Sequence, residues 1–286
     1  MRKIGIVGLG IMGRGIAENF LGKNHHVFVW NRTTSVSEEF GKRGAIVCSS
    51  PEKVAKSADI VFEVTANDES SREVWLGNEG IIAGANPDKF LVACATLSSG
   101  WVDALAQECK SRGFVFFDAA LTGGRIGAET GSLTLLCGGD EKLLDELRPD
   151  LSAISKGVLH FGPAGQGMRY KLILNFLQAT HMAGFNQAMK IAKSQGMDLK
   201  KVSDALVERP GGVITSIAKK AYFTEPDPAT FSVEWLAKDL GYVREMAGHS
   251  GGPLLDAVFD ECSKAVKAGL GKKDWAMIGR SPADGE

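Results

Sequence analysis

Cysteine is scarce, and the arrangement of the few thiols excludes more than it suggests. The five, at Cys48, Cys94, Cys109, Cys137 and Cys262, are odd in number, widely scattered and never spaced as C-x-x-C. A disulfide framework and a cysteine-ligated zinc site are therefore not expected; buried apolar residues or free thiols in a reducing compartment are. Net charge is nearly absent as well. The 33 basic and 34 acidic residues give −1, and no long run of either sign stands out. Such a chain carries no footprint for nucleic acid or for an anionic membrane surface. No apolar run approaches the length of a membrane span, and strand-like residues begin almost at once, leaving no room for a signal peptide. The expected location is cytoplasmic. What the chain does have is 286 residues at 44% apolar content, enough for two ordinary domains.

The first of these alternates short apolar runs with helical patterns. Strands are predicted at 3–8, 26–30, 59–64, 90–94, 114–117 and 133–137, with helices near 11–22, 35–43, 51–56, 70–75 and 100–111. This alternation predicts a mostly parallel sheet covered by helices on both faces, with ligands beyond the carboxyl ends of its strands. A cluster of breakers, Gly162-Pro163-Ala164-Gly165-Gln166-Gly167, marks the boundary. Beyond it run a long apolar helical segment at 168–195 and helical patterns near 199–208, 213–220, 231–248 and 253–268. Turns fall at 209–212 and 224–228, and the residues from 279 to 286 read as a frayed end. The predicted class is α/β: a doubly wound parallel sheet of the Rossmann type over 1–163, then an all-α domain over 164–286 that binds substrate and assembles the oligomer.

The chain is organised around Gly8-Leu9-Gly10-Ile11-Met12-Gly13, a G-x-G-x-x-G loop between the first strand and the first helix. Gly8 permits the turn off the strand, Gly10 lets a pyrophosphate approach the backbone, and Gly13 lets the helix pack close. The free N–H groups at the helix start then face the phosphates. Cofactor choice follows from the end of the second strand. NAD-preferring folds usually place a carboxylate there, for the ribose hydroxyl; this chain has Asn31, Arg32 and Thr33. An amide, a guanidinium and a hydroxyl suit the 2′-phosphate of NADP.

Two further stretches carry candidate chemistry. From Phe117 to Leu133, four glycines and two threonines, including Thr122, Gly123 and Gly124, follow a predicted strand. Such a loop offers N–H groups and hydroxyls to an anion, although a flexible surface connection has the same composition. Within 170–177, Lys171 and Asn175 stand at i and i+4 on an otherwise apolar helix, with Gln178 a turn further on. They form a narrow polar stripe that could line a cleft, or else an ordinary snorkelling lysine and its neighbour.

Taken together, the three stretches resemble the β-hydroxyacid dehydrogenase family, which includes 3-hydroxyisobutyrate dehydrogenases and tartronate- and succinic-semialdehyde reductases. The family signature GLGxMG stands at 8–13. Its substrate loop DAPVSGGxxGAxxGTL is matched from Asp118 to Leu133, with Ala120 for Pro, Leu121 for Val, Thr122 for Ser and Ser132 for Thr. Its GxGxxxKxxxN motif is matched by Gly165, Gly167, Lys171 and Asn175, and its KDL by Lys238-Asp239-Leu240. The chain departs from the family at Thr65-Ala66-Asn67-Asp68, where Met-Leu-Pro is common, and at Ala95-Thr96-Leu97-Ser98-Ser99, where Ser-Thr-x-x-Pro is common.

The resemblance implies an NADP-dependent oxidoreductase that interconverts a small 3-hydroxy acid and its aldehyde or ketone. Lys171 would be the acid–base group, and Asn175 would orient Lys171 or the substrate. Thr122, Gly123 and Gly124 would hold the substrate's acidic group. Arg125 would meet a second anionic group, or simply pair with Glu129. The glycine loop, Asn31, Arg32, Thr33, Thr65, Ala66, Thr96 and Lys238 would bind the cofactor. No metal, nucleic acid or membrane is expected, and family members commonly form homodimers or homotetramers. Two alternatives share the architecture: an NADPH-dependent imine reductase, which usually carries Asp or Tyr at the position of Lys171, and a non-catalytic dehydrogenase-like reader.

Overall fold

The computed structural model describes residues 1–209 and 212–278. Pro210 and Gly211 of the predicted turn, and the whole stretch expected to fray at 279–286, lie outside them. The chain divides into two compact units, Met1–Lys171 and Leu172–Glu286.

The first unit alternates strand and helix. In order it holds β1 (Ile4–Val7), α1 (Ile11–Gly22), β2 (Val27–Trp30), α2 (Thr34–Gly41), β3 (Ile46–Val47), α3 (Pro51–Ser57), β4 (Ile60–Glu63), α4 (Asp68–Leu76), α5 (Ile81–Gly84) and β5 (Phe90–Ala93). Then follow α6 (Ser99–Ser111), β6 (Val115–Thr122), α7 (Gly124–Glu129), β7 (Leu133–Gly138), α8 (Glu141–Leu151) and β8 (Ser155–His160). The eight strands form one sheet in the order β3-β2-β1-β4-β5-β6-β7-β8. Every pair is parallel except β6 with β7. β1, β4 and β5 are buried at every residue, in keeping with their apolar runs, of which only that of β4 closes on a charged residue, Glu63. Strand order reverses between β1 and β4, and at such a switch point the connections leave in opposite directions and open a crevice.

The largest departure from the sequence reading lies in the stretch expected to be a loop after Phe117. β6 instead continues to Thr122. Its parallel pairing with β5 ends at Asp118, opposite Ala93, and antiparallel pairing with β7 runs from Asp118 to Thr122. The glycines that follow close into the short helix α7, packed on α1. Two hydrogen bonds cross that packing: Asn19 Nδ2 of α1 donates to the carbonyls of Ala128 at 2.7 Å and Glu129 at 3.3 Å, and within α1 to that of Gly15 at 2.7 Å. A Cβ on Gly15 would come within 2.6 Å of the Ala128 backbone.

α9 (Gln166–Ser194) begins in the first unit and continues into the second, where α10 (Leu199–Val207), α11 (Gly212–Phe223), α12 (Val233–Ala247) and α13 (Gly252–Ala265) follow. Among the described residues this unit contains no strand, only an isolated bridge between Ser232 and Asp274. Leu172, Asn175, Ala179, Met182, Asn186 and Met189 of α9 recur every three or four residues and are buried. The apolar members of this stripe join Leu236, Leu240, Val243, Leu255, Val258 and Cys262 in a second core. Asn175 thus lies on the buried seam of α9, while Ile173 and Leu177 face outward.

Glycine-to-alanine changes on α1 test its docking. In open helical positions the change stabilises by roughly 1 kcal/mol through helix propensity. At Gly22, where a Cβ would meet nothing within 4 Å, Gly22→Ala should leave Tm unchanged or higher. At Gly15 the added methyl must displace Ala128, and overpacking of ~1–3 kcal/mol should win. Gly15→Ala should therefore melt several degrees lower; equal Tm values for the two variants would contradict this packing.

Candidate active site

Each glycine of the loop after β1 has a distinct environment. Gly8 has φ +102°, and a Cβ there would meet the Val64 carbonyl oxygen at 2.4 Å. The loops after β1 and β4 therefore touch through backbone at the switch point. A Cβ on Gly13 would lie 2.0 Å from the Gly8 carbonyl oxygen. Gly10 differs from both. Its φ of −70° is open to any residue, and a Cβ would meet nothing within 4 Å. The protein's own packing does not need glycine at position 10. Position 10 is open backbone beside the first N–H groups of α1, which have no partner within the helix. The Leu9 side chain belongs to the core, Met12 packs against it, and Ile11 is partly exposed at the rim.

At the end of β2, Asn31 is occupied within the protein. Its Oδ1 accepts the Leu9 N–H at 2.9 Å, and its Nδ2 donates to the Thr33 carbonyl at 3.1 Å. It braces the glycine loop against the second strand, a job that its amide chemistry alone did not reveal. Thr33 precedes α2 and makes no side-chain cap. Arg32 is exposed and forms no ion pair with the described residues. Arg14 and Arg43 are both engaged by Glu39, at 3.0 and 2.8 Å.

The loops after β4 and β5 are tied to each other. Buried Glu63 accepts both the N–H of Thr65, at 2.9 Å, and its hydroxyl. Asp68 accepts the Ser98 N–H at 2.9 Å and the Ser98 hydroxyl at 2.5 Å. Ala66 is exposed on the turn between them, and Thr96 is half-buried after β5. Sequence reasoning missed Glu63, although a carboxylate ending the apolar run Ile60-Val61-Phe62 was a visible signal.

After β6, Thr122 is half-buried opposite Thr134, and Gly123 and Gly124 both adopt positive φ, +120° and +59°. Arg125 Nε donates to Glu129 Oε1 at 2.6 Å, so the simpler of its two sequence readings is the contact present.

The start of α9 is anchored to the sheet. Asp118, fully buried at the end of the β5–β6 pairing, accepts the Gly165 N–H on one oxygen and the Met168 N–H on the other, both at 2.6 Å. Burial pushes its carboxyl up to about 6, against the pull of these two N–H groups and Arg169. Arg169 makes a two-pronged ion pair with Asp103 of α6, at 2.9 and 2.6 Å. Lys171 follows within the next turn, half-buried. One turn further on, Asn175 Nδ2 donates to Asp239 Oδ2 at 2.6 Å, and Asp239 Oδ1 meets Lys238 Nζ at 2.9 Å. Lys238 Nζ also lies 5.2 Å from the centre of the Tyr242 ring.

The thiols play no visible part. Among the described residues there is no group of three or more side chains able to hold a metal, and the five cysteines are free. Burial pushes Cys109, Cys137 and Cys262 up to about 12, as expected of apolar packing residues. Nor is any helix of the described residues long and apolar enough to cross a membrane.

Comparison with known proteins agrees with a dinucleotide-binding domain in the first unit. Residues 3–162 match the NAD binding domain of 6-phosphogluconate dehydrogenase, and residues 165–280 the NAD-binding region of NADP-dependent 3-hydroxyisobutyrate dehydrogenase. The chain belongs to the β-hydroxyacid dehydrogenase family of NAD(P)-binding oxidoreductases. L-Threonate dehydrogenase of Cupriavidus necator is 29% identical over 88% of this chain and 86% of its own length. The structure of Mycobacterium tuberculosis 3-hydroxyisobutyrate dehydrogenase with L-serine superposes with a TM-score of 0.85 at 25% identity, covering 97% of this chain and 98% of that one. An imine reductase from Myxococcus stipitatus with NADP+ shares the fold, with a TM-score of 0.67 at 22% identity over 97% and 99% of the two chains. The matches hold both nicotinamide cofactors and both substrate classes, so the family fixes NAD(P)-dependent redox chemistry and leaves the finer assignment to the residues.

The two loop glycines should separate ligand binding from folding. Gly10→Ala should keep Tm within the few tenths of a kcal/mol of an open site, yet weaken NADPH binding at least tenfold, ~1.4 kcal/mol. Gly13→Ala should lose stability itself, because its methyl collides with the Gly8 carbonyl. If NADPH titration finds normal affinity in Gly10→Ala, the open space at position 10 is not a phosphate seat.

Proposed function

We propose that the protein is an NADP-dependent oxidoreductase that interconverts a small 3-hydroxy acid and its aldehyde or ketone, a semialdehyde reductase or 3-hydroxyacid dehydrogenase. The observation that carries the reading is Lys171, half-buried on the anchored first turns of α9, with Asn175 hydrogen-bonded one turn along. A cation that can give up a proton is what carbonyl reduction requires. In the family resemblance, this lysine also separates hydroxyacid dehydrogenases from imine reductases. The dehydrogenase relatives named above support the same choice.

Gly8, Gly10 and Gly13 hold the cofactor's phosphates with Leu9, Ile11 and Met12 around them, and Arg32 with Thr33 receives the 2′-phosphate. Asn31 supports that site by bracing the loop. Thr65, Ala66 and Thr96 would bind the cofactor, Thr96 at the position that resembles a nicotinamide contact, and Lys238 is carried as the family's cofactor- or substrate-facing lysine. When bound, the dinucleotide supplies the hydride. Thr122, Gly123 and Gly124 hold the substrate's acidic group, and Arg125 meets a second anion if its pair with Glu129 opens. Lys171 donates a hydrogen bond to the carbonyl oxygen, stabilises the negative charge that develops there and delivers the proton. In the reverse direction neutral Lys171 accepts the proton from the hydroxyl. Asn175 orients the lysine or the substrate. Assembly as a homodimer or homotetramer and a cytoplasmic location belong to the same reading.

Cofactor preference is the first test. One charge-assisted contact of ~1.5–3 kcal/mol gives NADPH an advantage of tenfold or more over NADH in kcat/KM. Arg32→Ala should erode that ratio and leave NADH turnover nearly unchanged. Equal use of both cofactors by the unaltered chain would remove the NADP assignment.

Lys171→Ala is the second. Losing a general acid costs at least ~10²-fold in kcat, while NADPH binding survives, since Lys171 lies outside the glycine loop. Lys171→Arg should rescue little, because a guanidinium keeps its proton. A folded, NADPH-binding Lys171→Ala that retains more than a tenth of kcat would refute the role.

A further inference from the structure

We infer that Asp118 is a positioning residue for Lys171, fixing the first turn of α9 on the sheet so that the lysine amine is held at one place. The inference rests on the reading of Lys171 as the acid–base group. Asp118 sits where β6 changes partners, opposite Ala93 of β5 on one side and Gly138 of β7 on the other. Its backbone is held by both neighbouring strands, and its side chain has no exposure to solvent. Each oxygen takes one N–H at the start of α9, Gly165 on Oδ1 and Met168 on Oδ2. Such groups have no partner within the helix, so a carboxylate engaging two of them sets both the position and the direction of the helix axis. Met168 precedes Lys171 by three residues, so what fixes one fixes the other.

The seat around this contact leaves no slack. A Cβ on Gly138 would meet Asp118 Oδ1 at 2.5 Å, the Pro163 carbonyl oxygen at 2.7 Å and the Gln166 nitrogen at 2.9 Å. A Cβ on Gly167 would meet the Leu136 carbonyl oxygen at 2.3 Å, so helix backbone lies directly on β7. Met168 is buried, with its sulfur 3.4 Å from the Leu97 nitrogen. For stability alone, well-packed apolar residues often serve a buried site as well as a charge does. What a charged, two-point hydrogen bond adds is direction, and proton delivery is sensitive to displacements of about 1 Å.

The test is a double-mutant cycle on the full chain with NADPH, using methylmalonate semialdehyde or tartronate semialdehyde, each the oxo partner of a 3-hydroxy acid, whichever the unaltered protein reduces faster. Asp118→Asn keeps the shape but presents an amide N–H₂ to one of the two donors. It should lower kcat ~10–100-fold, with KM and the NADPH dissociation constant nearly unchanged. In a Lys171→Ala background the same change should cost nothing more, because the group being positioned is gone. Leu147→Ala, a core truncation in α8 of the same unit, supplies a control that lowers Tm while keeping kcat. Should Asp118→Asn fail to fold, Gly138→Ala displaces the same contact with the carboxylate intact and should show the same loss confined to kcat. Full kcat in a folded Asp118→Asn or Gly138→Ala, beside an inactive Lys171→Ala, overturns the positioning role and leaves Lys171 standing. Independent, multiplying losses in the double variant overturn it as well. An active Lys171→Ala, or no reduction of either aldehyde by the unaltered protein, removes both readings.

Discussion

The constraint on which the rest depends is the contact between two stretches of backbone, where a Cβ on Gly13 would lie 2.0 Å from the Gly8 carbonyl and one on Gly8 would lie 2.4 Å from that of Val64. With no side chains between them, β1, the start of α1 and the end of β4 close to van der Waals contact. The N–H groups at the head of α1 are thereby held at the point where strand order reverses. Gly10 then stands out as the glycine the fold itself does not need. Packing accounts for glycine at two positions and not at the third, and the proposed reading assigns that third position to the dinucleotide phosphates.

A second theme is buried carboxylates that spend their oxygens on the protein's own donors. Glu63 takes the N–H and hydroxyl of Thr65, Asp118 takes two N–H groups at the start of α9, and Asp239 takes the Asn175 amide and faces Lys238. Glu63 holds Thr65 and Asp239 holds Asn175 and Lys238, residues to which the proposed reading gives parts, while Asp118 holds the start of the helix that carries Lys171. They act as fixed acceptors that give neighbouring groups one orientation, a use of buried charge that favours definition over stability.

Much of this was legible in the sequence. The central strands β1, β4 and β5 are apolar runs because both faces are covered, and the glycine spacing announced the turn between β1 and α1. β3 escaped because it is two exposed residues long, and β8 because Ser155, Lys156 and His160 give it no apolar pattern. The helix α8 was available in the spacing of Leu144, Leu147 and Leu151 after the cap at Asp140, despite Pro149 near its end. The stretch after Phe117 failed for a physical reason. Glycine suppresses every local signal for regular structure, and only the pairing of β6 with β7 and the docking of α7 on α1, both tertiary, decide its form. In the site, residue types were readable and partners were not. Asn31 was read for its amide facing a ligand, whereas the fold turns that amide toward Leu9; Asp118 and Asp239 lay inside recognised motifs, but their partners come from distant parts of the chain.

The central claim is that Lys171 makes this member of the family a carbonyl reductase acting on small acids. The most direct measurement is the rate of NADPH oxidation by the purified chain across a matched panel: methylmalonate semialdehyde, tartronate semialdehyde, neutral aldehydes of similar size, and cyclic imines. The account predicts turnover of acidic aldehydes, at least tenfold lower kcat/KM for neutral ones that lack the group held by Thr122, Gly123 and Gly124, and no imine reduction, on the scale of one lost charge-assisted contact. Preferential reduction of imines, or indifference to the acidic group, would contradict it.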